Sequence, residues 1–218
     1  MEFFDAESIF FTALGHPTSY LEFFGIVTGA IAVWLSASTN IWSWPIGIIN
    51  VVLLFFLFYQ VQLYPDMFLQ VFFFVTNLMG WWRWANPGAG EADRKSELRV
   101  SWMPPKMLAL FGVVIVVGTF LSGSFASNLH EFFPRLFSQP SAYPYIDSFV
   151  MVTSIAATYM MVQKHVECWL AWIVADVVAT YLYFAKDLLF VGVEYFAFCL
   201  IAAFGFWRWR KEFKSYPT

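Results

Sequence analysis

The feature that most constrains this chain is an internal duplication. Residues 20–84 align with residues 145–209 without a gap, at a constant offset of 125 that places Tyr20 on Tyr145. Both copies end alike, on Gly-Trp-Trp-Arg-Trp at 80–84 and Gly-Phe-Trp-Arg-Trp at 205–209. Most of each copy is apolar enough to lie in a membrane. A duplicated helical bundle in a bilayer is typical of a transporter, and it predicts a substrate site where the two copies meet.

The composition indicates an integral membrane protein. Of the 218 residues, 60% are hydrophobic and 12% are charged, whereas an average globular chain carries about 25% charged residues. The mean hydropathy is +0.64. Because about 20 helical residues cross the hydrocarbon core, the long apolar runs predict seven spans. These are residues 20–37, 44–61, 66–84, 104–123, 145–162, 168–186 and 188–207.

The basic residues predict the orientation of the chain. If the N-terminus lies on the outer side of the membrane, only Arg135 and Lys186 of the 12 basic residues also lie on that side. The other ten fall on the cytoplasmic side, as the positive-inside rule requires: Arg83, Arg94, Lys95, Arg99, Lys106, Lys164, Arg208, Arg210, Lys211 and Lys214. An N-out, C-in chain needs an odd number of spans, and seven satisfies this.

The seven predicted spans and the duplication together predict an all-α architecture of 3+1+3 type. A three-helix unit placed directly after its copy would point the opposite way, so a fourth span restores the direction of the second unit. The predicted segments are an extracytoplasmic segment (1–19), the first three-helix repeat (20–84), a basic loop with the linker helix at about 104–123 (85–144), the second repeat (145–209) and a cytoplasmic tail (210–218).

Asp176 is the strongest candidate for a substrate-binding residue. It lies about 12 Å into the sixth span, where an ionised carboxylate is costly and normally faces a cavity or a partner. A helical period places it on one face with Trp169, Trp172, Thr180 and Tyr183. An acid beside indole rings and hydroxyls suits a flat, aromatic, cationic ligand. The alternative is an Asp that bonds a neighbouring helix and only stabilises packing.

The first repeat offers amide side chains as further candidates. Gln70 and Asn77 share a face of the third span, and Asn50 follows Trp44 one and a half turns into the second span. Amides both donate and accept hydrogen bonds, which suits an amide or sugar hydroxyls. Hydrogen bonds between helices explain Gln70 and Asn77 equally well.

Two further expectations come from the apolar residues near the membrane surfaces. Tryptophans collect at membrane interfaces, so the clusters Trp42/Trp44, Trp81/Trp82/Trp84 and Trp207/Trp209 are expected there. Phe3, Phe4, Ile9 and Phe10 are spaced so that they could form a short interfacial helix before the first span.

Taken together, these motifs resemble the PnuC family of bacterial vitamin transporters. The resemblance rests on Trp44-Pro45-x-Gly47-x-x-Asn50, on Trp169-x-x-Trp172-x-x-x-Asp176 followed by Tyr183 and Lys186, and on the duplicated Gly-(Trp/Phe)-Trp-Arg-Trp ends. It covers about residues 20–210. It implies a SWEET-like fold, a homotrimer in the bacterial inner membrane, and facilitated diffusion of nicotinamide riboside, which a cytoplasmic kinase then traps by phosphorylation. Related members carry thiamine or riboflavin, and thiamine is also an aromatic cation.

We therefore expect a uniporter with its site near the midplane between the two repeats, formed by the residues named above. No cofactor, metal or nucleic acid is expected, and no ATP-binding loop is visible. One alternative is an intramembrane enzyme, which the three histidines do not favour because His16, His130 and His165 are all predicted in loops. The other is an ion channel in which Asp176 repeats around an oligomer axis as a charged ring.

Overall fold

The computed structural model describes residues 9–13, 16–60, 64–133, 141–185 and 189–216. This part of the chain contains seven α-helices and one two-stranded sheet. The helices are α1 (Tyr20–Ala37), α2 (Ser43–Gln60), α3 (Tyr64–Ala85), α4 (Pro105–Phe132), α5 (Pro144–Val162), α6 (Glu167–Ala185) and α7 (Leu189–Lys214). Arg135 and Lys186, the two basic residues predicted outside, lie beyond the described residues.

Each helix coincides with a predicted span, so the all-helical membrane fold is confirmed. Five helices, α1, α2, α4, α5 and α6, are long and apolar enough to cross a membrane. With 22 and 26 residues, α3 and α7 reach about 33 and 39 Å, more than the 30 Å hydrocarbon core. Two helices continue beyond their predicted ends, α4 to Phe132 and α7 to Lys214. His130 therefore lies in the last turn of α4, not in a loop.

The chain divides into two compact units, Met1–Arg99 and Val100–Thr218. In the first unit α2 packs against both α1 and α3. In the second unit α5 packs against α4 and α6, and α6 packs against α7. Each three-helix repeat thus lies within one unit, and α4 belongs to the second. This organisation is consistent with a 3+1+3 arrangement.

The turn between the first two helices of each repeat has the same backbone conformation in both. Thr39 and Lys164, which correspond at the offset of 125, are both left-handed, with φ of 56°. Asn40 N–H donates to Leu35 O at 3.0 Å, and His165 N–H donates to Met160 O at 2.9 Å. These bonds satisfy carbonyls at the end of the preceding helix, as a left-handed C-terminal cap does. The duplication therefore extends to backbone detail.

The end of the basic loop packs against the turn between α5 and α6 within the second unit. Ser101 N–H donates to Lys164 O at 3.1 Å, and Val166 N–H donates to Ser101 O at 2.9 Å. Met103 N–H donates to the Glu167 carboxylate at 3.0 Å. Lys164 is itself only 1% exposed. This segment fixes the start of α4 to the α5–α6 turn.

An ion pair closes the loop that follows α3. Arg83 donates to Glu91 Oε2 at 2.8 Å, and Gly88 N–H donates to the same oxygen at 2.9 Å. The Arg83 hydrogen bond, helped by Gly88, holds the pKa of Glu91 below its usual range. Arg83 thus orders this loop in addition to its predicted role in topology.

The segment before α1 forms a β-hairpin rather than the expected helix. Strands β1 (Ile9–Ala13) and β2 (His16–Ser19) pair antiparallel, and Ser19 caps α1 by accepting from Glu22 N–H at 3.2 Å. The extended backbone lets Phe10 and Phe11 both contact the Phe23 ring of α1. The helix prediction is wrong for Ile9 and Phe10, while Phe3 and Phe4 lie outside the described residues.

Candidate functional site

A matched tryptophan pair packs over a glycine in each repeat. Trp44 and Trp84 meet edge to face at 5.2 Å in the first unit, and Trp169 and Trp209 meet at 5.5 Å in the second. The Trp44 ring lies against the Cα of Gly80, and the Trp169 ring lies against that of Gly205. Because neither glycine has a side chain, the second and third helices of each repeat approach closely at this point.

Three tryptophans of the clusters expected at the membrane interfaces are core residues of their own repeat. Trp84 and Trp209 are 0% exposed and Trp44 is 4% exposed, and Trp169, the counterpart of Trp44, is buried in the same way. Trp42, Trp82 and Trp207 are more than half exposed, as interfacial residues would be. For Trp44 and Trp169, named above as substrate-binding candidates, the contacts within each repeat favour a packing role.

Asp176 is the central residue of a stripe on α6 that faces α7. Trp169, Asp176 and Tyr183 follow at intervals of seven. The first contacts Gly205 of α7, and the last stacks on Tyr195 of α7 at 5.1 Å. Asp176 itself is only 3% exposed. Among the described residues, its carboxylate has no hydrogen-bond or ion-pair partner, which contrasts with the usual pairing of buried acids.

Tyr195 and Cys199 on α7 are neighbours of Asp176 that the sequence pattern of α6 does not reveal. Both lie within electrostatic reach of Asp176, and the Tyr183 and Tyr195 rings stack on each other. The duplication gave one indication for Tyr195, because this residue corresponds to Gln70 of the first repeat. In the second unit, α7 thus brings a phenol and a thiol toward the acid of α6, and the second phenol, Tyr183, stacks on the first.

The remaining α6 candidates, Thr180 and Trp172, differ in whether their polar groups already make hydrogen bonds within the chain. Thr180 donates its hydroxyl to the Asp176 carbonyl at 2.7 Å and can still accept. Trp172, one turn before Asp176, is half-buried, and its indole N–H is buried without a partner among the described residues. Trp172 therefore keeps a donor for a ligand.

The two asparagines of the first unit make hydrogen bonds within that unit. Asn50 on α2 donates to Gly25 O of α1 at 2.6 Å and to Thr28 Oγ1 at 3.3 Å. Asn77 donates to Phe73 O at 2.8 Å, and its side chain packs against Gly47 of α2. These contacts favour a structural role for both residues, an interpretation that the sequence left open for Asn77.

Gln70 lines a cavity of about 300 Å³ between α2 and α3. It is 7% exposed, and Val51 is one of the apolar residues around it. At the offset of 125, Val51 corresponds to Asp176 and Gln70 to Tyr195. The same place in the two repeats is thus mostly apolar in the first and polar in the second, so the two repeats have diverged here.

The family model described as "Nicotinamide mononucleotide transporter" matches residues 19–211 of this chain. A curated relative from Escherichia coli (strain K12), the nicotinamide riboside transporter PnuC, is 31% identical over 96% of this chain and 94% of its own length. The riboflavin/roseoflavin transporter RibM of Streptomyces davaonensis is 27% identical over 85% of this chain and 82% of its own.

A solved structure has the same fold. It is described as the crystal structure of the vitamin B3 transporter PnuC, and it matches with a TM-score of 0.66 over 91% of this chain and 83% of its own. At 23% sequence identity, this match supports the helical architecture. Together with the sequence relatives, it places the fold among multi-pass membrane transporters.

Proposed function

Since this chain belongs to the nicotinamide mononucleotide transporter family, we propose that it carries nicotinamide riboside across the membrane by facilitated diffusion. The observation that carries this proposal is Asp176, a buried carboxylate at the middle of α6 without a partner among the described residues. Nicotinamide riboside is a pyridinium cation, and its positive charge would offset the carboxylate where hydrocarbon makes an unpaired charge costly.

The proposed site uses residues of α6 and α7. Trp172 stacks on the pyridinium ring and Asp176 lies beside its charge, because indole faces attract aromatic cations. Tyr195 lies within electrostatic reach of the acid, Tyr183 stacks on Tyr195, and both offer hydroxyls to polar substituents. Thr180 can accept one further hydrogen bond. Asn50, Asn77 and Gln70 are not part of this proposed site.

Riboflavin transport is the second candidate, and one relative supports it. Riboflavin is flat and aromatic but carries no positive charge, so it leaves the Asp176 carboxylate without a counter-charge. The buried acid therefore favours a cationic vitamin over riboflavin. Thiamine satisfies the same charge requirement and is the competing cation.

The proposed transport takes place in the bacterial inner membrane. The basic residues support a multi-pass protein of the bacterial inner membrane with its N-terminus outside and its C-terminus in the cytoplasm. Homotrimeric assembly and trapping of the product by phosphorylation are proposed from the family resemblance. The chain itself acts as a carrier and not as an enzyme.

Uptake of labelled nicotinamide riboside into proteoliposomes tests the proposal. With the membrane potential held at zero, the internal concentration is expected to rise to the external one and stop there, with or without a proton or sodium gradient. The initial rate is expected to saturate with substrate, because a carrier binds each molecule it moves. Accumulation above the external concentration would contradict facilitated diffusion. A non-saturating rate accompanied by electrical current would indicate a channel instead.

A further inference from the structure

Thr153 on α5 has a buried hydroxyl without a hydrogen bond. The residue is 2% exposed, and its Oγ1 has no partner among the described residues. Buried helical hydroxyls normally donate to the carbonyl four residues earlier. Thr158, also on α5, does so at 2.8 Å, and Thr28 on α1 does so at 2.6 Å. The Thr153 hydroxyl does not donate to the carbonyl of the preceding turn of α5, so it points away from that carbonyl.

Thr153 lies at the same depth as Asp176. It is nine residues before Val162, where α5 ends, and Asp176 is nine residues after Glu167, where α6 begins. The two helices are joined by a short turn and pack against each other, so both residues lie about 14 Å from that turn. The unpartnered hydroxyl and the unpartnered carboxylate therefore share one level of the second unit.

The duplication indicates where the Thr153 hydroxyl faces. Thr153 corresponds to Thr28, whose Oγ1 accepts a hydrogen bond from Asn50 of the neighbouring helix. The residue corresponding to Asn50 is Ala175, which has no polar group. The second repeat has thus kept the threonine and lost its amide partner, directly before Asp176.

We infer that Thr153 is a specificity-determining residue that hydrogen-bonds a pentose hydroxyl of the substrate; this inference rests on the proposed function. A hydroxyl both donates and accepts, so it pairs with a sugar hydroxyl in either direction. The indole N–H of Trp172 is a second buried donor without a partner among the described residues, one turn before Asp176. The ring of nicotinamide riboside binds at Asp176 and Trp172, and its ribose reaches Thr153.

Thr153→Val removes the hydroxyl with little change in volume, and calorimetric titration of the purified full chain measures the result. Nicotinamide riboside is expected to bind about tenfold more weakly. 1-Methylnicotinamide, the same pyridinium cation without the pentose, is expected to bind Thr153→Val and the unchanged protein equally. Thr153→Ser, which keeps a hydroxyl, is expected to restore riboside binding. Thr158→Val is the matched control, because that hydroxyl is satisfied within α5, and it should change neither affinity.

Thermal unfolding separates a role in binding from a role in packing. The Thr153→Val protein is expected to unfold at or above the unfolding temperature of the unchanged protein, because a buried unpaired hydroxyl is removed. Equal losses for the riboside and the methylated ring, or unchanged riboside binding, would overturn the inference while leaving the proposed function intact. If the unchanged protein fails to bind nicotinamide riboside, the proposed function fails as well.

Discussion

Replacing Asp176 with asparagine is expected to weaken binding of nicotinamide riboside at least tenfold, or about 1.4 kcal/mol. Asparagine keeps the size of the side chain and removes its negative charge, so the pyridinium loses its counter-charge in a region with little water. Trp172→Ala is expected to cost a similar amount through lost stacking. Calorimetric titration of the detergent-purified variants measures both effects.

Asp147→Asn is the matched control for the charge change. Asp147 is a half-exposed acid in the first turn of α5, far along the helix from the level of Asp176. Its substitution should leave the affinity unchanged. If the Asp176 and Trp172 variants bind as tightly as the unchanged protein, the assignment of the site to α6 is wrong.

Replacing Gly205 with alanine is expected to destabilise the protein by about 1–3 kcal/mol through overpacking. A Cβ at this position would lie 2.6 Å from two atoms of the Trp169 ring, which is closer than real side-chain contacts. Trp169 is fixed between Gly205 and Trp209, so α6 and α7 must move apart. Thermal unfolding in detergent should show a lower midpoint, by roughly 3–10 °C. Gly80→Ala should behave alike, because Trp44 lies against Gly80 in the same way.

Gly112→Ala in α4 is the corresponding control. No atom of the described residues lies within 4 Å of a Cβ at Gly112, so the added methyl group makes no close contact with them. Alanine favours a helix over glycine by about 1 kcal/mol, and this variant should unfold at or above the original temperature. If the Gly205→Ala and Gly80→Ala variants also unfold at or above the original temperature, the packing of the tryptophan pairs over these glycines does not limit stability.

The duplication and the spans could be predicted from the sequence because they depend on hydrophobicity and spacing alone. The second helix of the second repeat was expected at 168–186 and is observed at Glu167–Ala185. Helix ends at the membrane surface were less predictable, since α7 continues through polar and basic residues to Lys214. There hydropathy falls while helical hydrogen bonding continues. The extended strand at Ile9–Ala13 was missed because a few aromatic residues suit either a hairpin or a helix.

The candidate site could be predicted only in part. Depth and helical period predict a buried carboxylate at Asp176, which is 3% exposed, but they cannot tell which tryptophans a neighbouring helix covers. Trp169 is buried because Gly205 leaves room for it, and that information lies on a different helix. Tyr195 was missed for the same reason, since it comes to Asp176 only through the packing of α6 against α7. Contacts between helices are set by packing, which the period of a single helix does not contain.

Titration of the purified chain with nicotinamide riboside, thiamine and riboflavin is the sharpest test of the proposal that the chain carries a cationic vitamin. Nicotinamide riboside is expected to bind saturably with one site per chain, more tightly than thiamine and far more tightly than uncharged riboflavin. Tighter binding of riboflavin, or no saturable binding of nicotinamide riboside, would contradict it.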